Sequence, residues 1–259
     1  YEDLEKRFDH VSRAVELATE IGDKRRELKS HKWLGVVNEA MGRWTASIEN
    51  YKEQARVAEE LNDTAALFEA YQNRGDVLGN INEHGLSLRW YRKRLNLAEE
   101  CATRGDSTLL SDAYNSLGTY FKEVQSYDSA IYYHHQCLDR AIRDSSELQE
   151  SFAYNNIALV YKGKEEYEKA LYYLHKSLTI KERLGSIRGM ASSNINIGNV
   201  LNLQGKHTEA LEHHRIGIQY AKRAQNVWYL INGYTGAVEA YLSDKNPEVA
   251  EYYQAMSTL

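Results

Sequence analysis

The feature that most constrains this chain is a beat of about 40 residues. A Leu or Ile followed by a small residue recurs as Leu34-Gly35, Leu117-Gly118, Ile157-Ala158 and Ile197-Gly198, with Arg74-Gly75 as a weaker copy. The small residues stand at 35, 75, 118, 158 and 198, and Val238 extends the series, so the steps are 40, 43, 40, 40 and 40. A second register keeps the same interval twelve residues later, at Ser47, Ser87, Ala130, Ala170, Ala210 and Ala250. Four residues beyond it come Tyr51, Tyr91, His134, Leu174, His214 and Gln254. Seven beyond come Gln54, Arg94, Cys137, Ser177 and Gly217, and an Ala closes the set at 58, 98, 141 and 221. Two registers on one period mark a repeated supersecondary unit rather than a chance spacing.

Each unit holds two apolar-periodic stretches of roughly 15–18 residues, a helical length. Turn-forming residues separate them, as at Gly22-Asp23, Asn62-Asp63, Gly105-Asp106 and Gly185-Ser186. The 259 residues include one proline, Pro247, so nothing interrupts helices elsewhere. The small residues let two antiparallel helices approach, and the large residue opposite fills the space between them. Ala14 and Ala18 stand one period before Gln54 and Ala58, so residues 1–21 read as a second helix without its first. Ala250 opens another second helix that runs to Leu259. The expectation is an all-α solenoid of thirteen helices, one orphan and six pairs. Its units cover about 1–22 (partial), 25–63, 65–103, 107–145, 148–185, 188–225 and 228–259 of one domain, 1–259. The three extra residues of the 43-residue step fall around Cys101–Ser107, where a loop can absorb them. The chain starts at Tyr1 and both ends break inside a unit, which reads as a segment of a longer array.

Tyr114-Leu117-Gly118-Phe121 followed by Ala130-His134-Cys137 resembles the tetratricopeptide repeat. So does Tyr154-Ile157-Ala158-Tyr161 followed by Ala170-Leu174-Ser177. In that family the first helix carries W-x2-L-G-x2-Y and the second A-x3-F-x2-A. The period of 40 rather than 34 is similar to the long repeats of Pins/LGN spindle-orientation proteins, kinesin light chains and bacterial regulators. HEAT and armadillo repeats share the length but not this pattern of small and aromatic residues. The resemblance implies a right-handed superhelix whose first helices line a concave peptide groove.

By the same analogy, positions three before, one after and four after the small residue face that groove. They give Lys32, Gln72, Asn115, Asn155 and Ile195; then Val36, Asp76, Thr119, Leu159 and Asn199; then Glu39, Gly79, Lys122, Lys162 and Asn202. The asparagines could bond the backbone of an extended peptide or their own neighbours. Lys122 and Lys162 suit acidic groups on a ligand. Arg94 stands where the family has Ala, so its head must reach solvent, the groove or a carboxylate. The implied function is a non-catalytic scaffold or adaptor holding a partner's peptide. The alternative is a sensory or regulatory segment of a bacterial signalling protein, a histidine kinase or a transcriptional regulator.

Several tempting motifs are absorbed by this framework. His134-His135 and His213-His214 suggest a metal, but adjacent helical residues point about 100° apart, and His134 and His214 fall at the core position. Arg104-Gly105-Asp106 and the Asn62-Asp63-Thr64 sequon both lie in turns. Arg89, Arg92, Lys93 and Arg94 around Trp90 and Tyr91 form one helical face of a chain whose net charge is −5, against a nucleic-acid partner. No phosphate loop, nucleophile elbow or triad spacing appears, so no catalytic residue, metal or cofactor is expected. No apolar run spans a bilayer and no signal segment opens the chain. Two cysteines, Cys101 and Cys137, make no disulfide framework. A protein or peptide partner carrying acidic groups is expected, within a larger protein or complex. The compartment is cytoplasmic, or periplasmic for a sensor segment.

Overall fold

The computed structural model describes residues 2–243. Among them are twelve α-helices and no strand. Helix α1 (Glu2–Glu20) is followed by two hairpins, α2 (Lys24–Ala40) with α3 (Trp44–Glu60) and α4 (Thr64–Asn80) with α5 (His84–Thr103); α6 (Leu110–Glu123) and α7 (Tyr127–Arg143) come next in the chain, and two further hairpins are α8 (Glu147–Gly163) with α9 (Tyr167–Arg183) and α10 (Ile187–Leu203) with α11 (His207–Arg223). Helix α12 (Val227–Ser243) follows. The thirteenth helix expected from Ala250, together with Pro247 and Gln254, lies outside the described residues. The fold class is all-α, of the helical-hairpin solenoid type. The chain divides into two compact units, one ending at Tyr120 and the other beginning at Phe121.

The turns between helices are three residues long, except for the six residues 104–109 between α5 and α6, and share one local design. After α2, Gly42 takes φ +70°, and its N–H and that of Arg43 donate to the carbonyls of Glu39 and Asn38 at 2.9 and 2.8 Å. That left-handed cap satisfies the last carbonyls of the helix. Glu165 does the same after α8 at φ 62°, although it carries a side chain. The next helix starts at once, and Asp23, Asp63 and Ser186 accept hydrogen bonds from the N–H groups of Arg26, Ala66 and Gly189.

The three extra residues are not simply absorbed by a loop. Helix α5 has 20 residues, against 17 in α3 and α9, and α6 has 14. Glu100-Cys101-Ala102-Thr103 contains nothing that stops a helix. It therefore propagates until Gly105, at φ +93°, supplies the left-handed cap. The connection that follows grows at the expense of the first turn of α6.

Packing inside each hairpin follows two fixed offsets. At the first, 16 residues, a small residue on the first helix faces a large one on the second. A Cβ added at Gly75 would come within 2.7 Å of the Tyr91 ring, and one at Gly35 would strike Tyr51. In the second unit Ala158 and Leu174 share one core cluster, and a Cβ at Gly198 would lie 2.7 Å from the His214 ring. Gly236 on α12 abuts the same ring, which therefore sits between two glycines. His134 and His214 are buried, as their place in the register implies.

At the second offset, 19 residues, the pair varies but the contact persists. His31 Nδ1 lies 3.1 Å from Asn50 Oδ1, and the rings of Tyr71 and Trp90 are 5.4 Å apart. In the second unit the rings of Tyr154 and Tyr173 are 6.0 Å apart, and His213 Nδ1 is 3.0 Å from Asn194 Oδ1.

Candidate functional site

In the first unit three of the expected groove residues fall into one polar network. Tyr91 donates its hydroxyl to Asp76 Oδ1 at 2.5 Å, and Gln72 Nε2 reaches both carboxylate oxygens of Asp76 at 2.7 and 2.9 Å. Ser116 donates to Gln72 Oε1 at 2.6 Å, and Arg94 Nη1 donates to Ser116 Oγ at 2.5 Å and to the Asp112 carbonyl at 2.7 Å. Of the ends that the sequence leaves open to Arg94 (solvent, the groove or a carboxylate), a carboxylate is not the one its hydrogen bonds take. The guanidinium is 7% exposed and lies 3.7 Å over the Phe68 ring. A flat, delocalised cation can take that stacking, which a lysine could not match. Burial lowers its pKa to about 10, so it stays charged at neutral pH.

Beside this network, Tyr51 donates to Glu39, whose pKa burial raises, with a further push from the charge of Asp76. Lys32 is held by Glu69 at 2.6 Å. On α6, Asn115 is exposed and Thr119 half-buried.

In the second unit the helices α8, α10 and α12 line one pocket. Asn155 and Leu159 come from α8, Ser192, Ile195, Asn196 and Asn199 from α10, and Trp228, Tyr229 and Asn232 from α12. Its volume of about 190 Å³ is below that of ordinary small-molecule clefts and suits a side chain or a short stretch of backbone. Asn155 and Asn199, expected from sequence to face a groove, are thus brought together. They differ in what they have left to offer. Asn155 accepts from Asn196 Nδ2 at 2.9 Å, whereas Asn199 makes no hydrogen bond among the described residues. Trp228 is 67% exposed, so an indole face borders the amides.

Asn202 turns the other way. Its Nδ2 donates to the Gly236 carbonyl at 2.8 Å and lies 3.4 Å from His214 Nε2, so it ties α10 to α12. Lys162 on α8 is held below the usual lysine pKa by burial, and secondarily by the charge of Lys122. Neither lysine has an ion-pair partner among the described residues.

Sequence reasoning missed Asn196, Trp228, Tyr229 and Asn232, because they stand two, ten, nine and six residues before the small-residue positions 198 and 238, outside the three offsets carried over from the family. It also missed Lys181, which is 2% exposed. The signal was available: Lys181 stands eleven residues after Ala170, where Ala58, Ala98, Ala141 and Ala221 stand in the other units. Among the described residues no helix is long and apolar enough to cross a membrane.

The tetratricopeptide repeat family profile matches residues 109–183. A relative, "Tetratricopeptide repeat protein 29" of Macaca fascicularis, is 26% identical over 123 residues, which are 46% of this chain and 26% of that protein. The chain therefore spans about a quarter of the relative it matches. Among solved structures, Aspartyl phosphate phosphatase F from Bacillus subtilis superposes with a TM-score of 0.72 at 15% identity, covering 94% of this chain and 73% of its own. The Rap conjugation gene regulator of plasmid pLS20, in complex with the Phr* peptide, superposes with a TM-score of 0.65 at 16% identity, covering 86% and 60%. At such identities the likeness establishes the fold.

Proposed function

We propose that this chain, a tetratricopeptide-repeat protein, is a non-catalytic scaffold that holds a peptide segment of a partner against its first helices. The observation that carries the reading is the unbonded Asn199 amide, set between the apolar side chains of Leu159 and Ile195 and the open face of Trp228. A primary amide offers one acceptor and two donors, so it can satisfy the N–H and C=O of an extended peptide without choosing its side chains. The apolar walls and the indole then supply contact area. Lys122 and Lys162, close enough to repel and free of carboxylates, suit an acidic group on the same ligand. The peptide complex of the plasmid Rap regulator, a protein of this fold, supports the reading by analogy.

The test is affinity capture from native lysate with crosslinking and mass spectrometry, comparing wild type with Asn155→Ala/Asn199→Ala/Lys162→Glu. Loss of a partner whose crosslinks map to α8, α10 and α12 is the expected outcome. Undiminished recovery by a variant of unchanged helicity would exclude this face.

A further inference from the structure

We propose that His175 and His213 form an open, two-imidazole site for a divalent transition-metal ion of the copper–zinc class. The two rings belong to neighbouring second helices, α9 and α11, whereas the amide pocket lies on α8, α10 and α12. Their centroids are 6.2 Å apart, with planes at 67°. An imidazole nitrogen binds zinc at about 2.0–2.1 Å, which puts two rings on one ion with centroids about 4.5–6.3 Å apart, depending on the angle at the metal. The observed separation of 6.2 Å falls at the open end of that range.

The fold sets up this encounter. One hairpin earlier, the equivalent positions are His135 and Tyr173, with ring centroids 6.4 Å apart. There one partner is a neutral phenol, and the contact is packing. At 175 and 213 both partners are imidazoles.

The tautomer of His213 is also fixed. Asn194 donates its Nδ2 to the Met190 carbonyl at 2.9 Å, which turns its Oδ1 towards His213 Nδ1 at 3.0 Å. An amide oxygen only accepts, so Nδ1 carries the proton and Nε2 keeps its lone pair. This is the arrangement by which a second residue orients a metal-binding histidine. His175 is exposed, and its ring makes no hydrogen bond among the described residues. Glu209, one helical turn before His213, adds negative charge nearby. Among the described residues no group of three or more His, Cys, Asp or Glu is placed to hold a metal. The chain thus supplies two nitrogens and leaves the other positions to water or to a donor from another molecule. Imidazole ligands and the Irving–Williams order favour Cu²⁺, with Zn²⁺ behind it.

The test is Cu²⁺ titrated into the full 259-residue chain, followed by calorimetry and electron paramagnetic resonance. Wild type is expected to show one site whose hyperfine pattern reports two nitrogens. His175→Gln, an exposed change that spares the fold, should remove that site. Asn194→Ala should weaken it about tenfold by freeing the His213 tautomer, while far-UV circular dichroism stays unchanged. Equal binding by wild type and His175→Gln, or a single-nitrogen spectrum, would overturn the proposal.

Discussion

Lys181 Nζ lies 3.0 Å from Ser193 Oγ, and that hydroxyl is its one hydrogen-bond partner among the described residues. The ammonium is buried at a place where the other units have alanine, with no carboxylate to balance it. Desolvation lowers its pKa from 10.5 to about 8. The unfolded chain therefore binds more protons than the folded one between about pH 8 and 10.5, so stability rises with pH across that window and the full penalty is present below it. Lys181→Met keeps the stem and discards the charge. It should stabilise the protein at pH 7 by on the order of 2 kcal/mol and flatten the rise above pH 8. Urea unfolding at pH 7 and pH 9.5 checks both.

His134 gives the opposite limb. Burial, then the charges of Lys122 and His135, lower its pKa from 6.5 to about 4, and its Nδ1 has no partner. The neutral ring is stable in the core above pH 6.5, and stability is lost as pH falls from 6.5 towards 4, because the unfolded histidine takes up the proton first. Leu174 occupies the same place in the next unit. His134→Leu should make the fall between pH 6.5 and 4.5 shallower by up to about 3 kcal/mol, read from urea midpoints.

The 16-residue offset predicts a coupled pair. Gly198→Ala drives a methyl into a ring already held on its other side by Gly236, and should cost about 1–3 kcal/mol. His214→Leu recreates the Ala158–Leu174 combination of the preceding hairpin. In a double-mutant cycle the two changes should couple favourably by about 1 kcal/mol; additive losses would mean that the offset contact does not set the helix spacing.

Glu165 holds a left-handed conformation that Gly42, Gly185 and Gly205 adopt without a Cβ at equivalent turns. Glu165→Gly relieves that strain while loosening the unfolded chain, and the balance should be a gain of about 0.5–1 kcal/mol. Thermal unfolding measures it.

The period, the helix pairs and the small-against-large offset could be read directly because each rests on contacts that recur in every unit. What repeats leaves a trace in a single sequence; what happens once does not. Lys181 is a single departure, visible only as a gap in a column of alanines. The bond between Asn155 and Asn196 joins different hairpins at a spacing no motif encodes. The environment of Arg94 was narrowed to a cation needing relief, but stacking on Phe68 with a hydroxyl and a carbonyl as acceptors depends on how α4, α5 and α6 meet. The asparagines divide likewise: sequence offered Asn199 and Asn202 as equals, and packing leaves one free and commits the other.

The 19-residue contact has a consequence for inheritance. His31 with Asn50, Tyr71 with Trp90, Tyr154 with Tyr173 and Asn194 with His213 each sit wholly inside one hairpin. A duplication or deletion that cuts at the turns moves both members of a pair together, so hairpins with different pairs can be reshuffled without breaking any of them. Bonds such as Asn155–Asn196 and Asn202–Gly236 span the seams and would be severed. The array can thus grow or shrink by whole units at little cost to each hairpin, while the amide pocket, assembled from α8, α10 and α12, depends on their order.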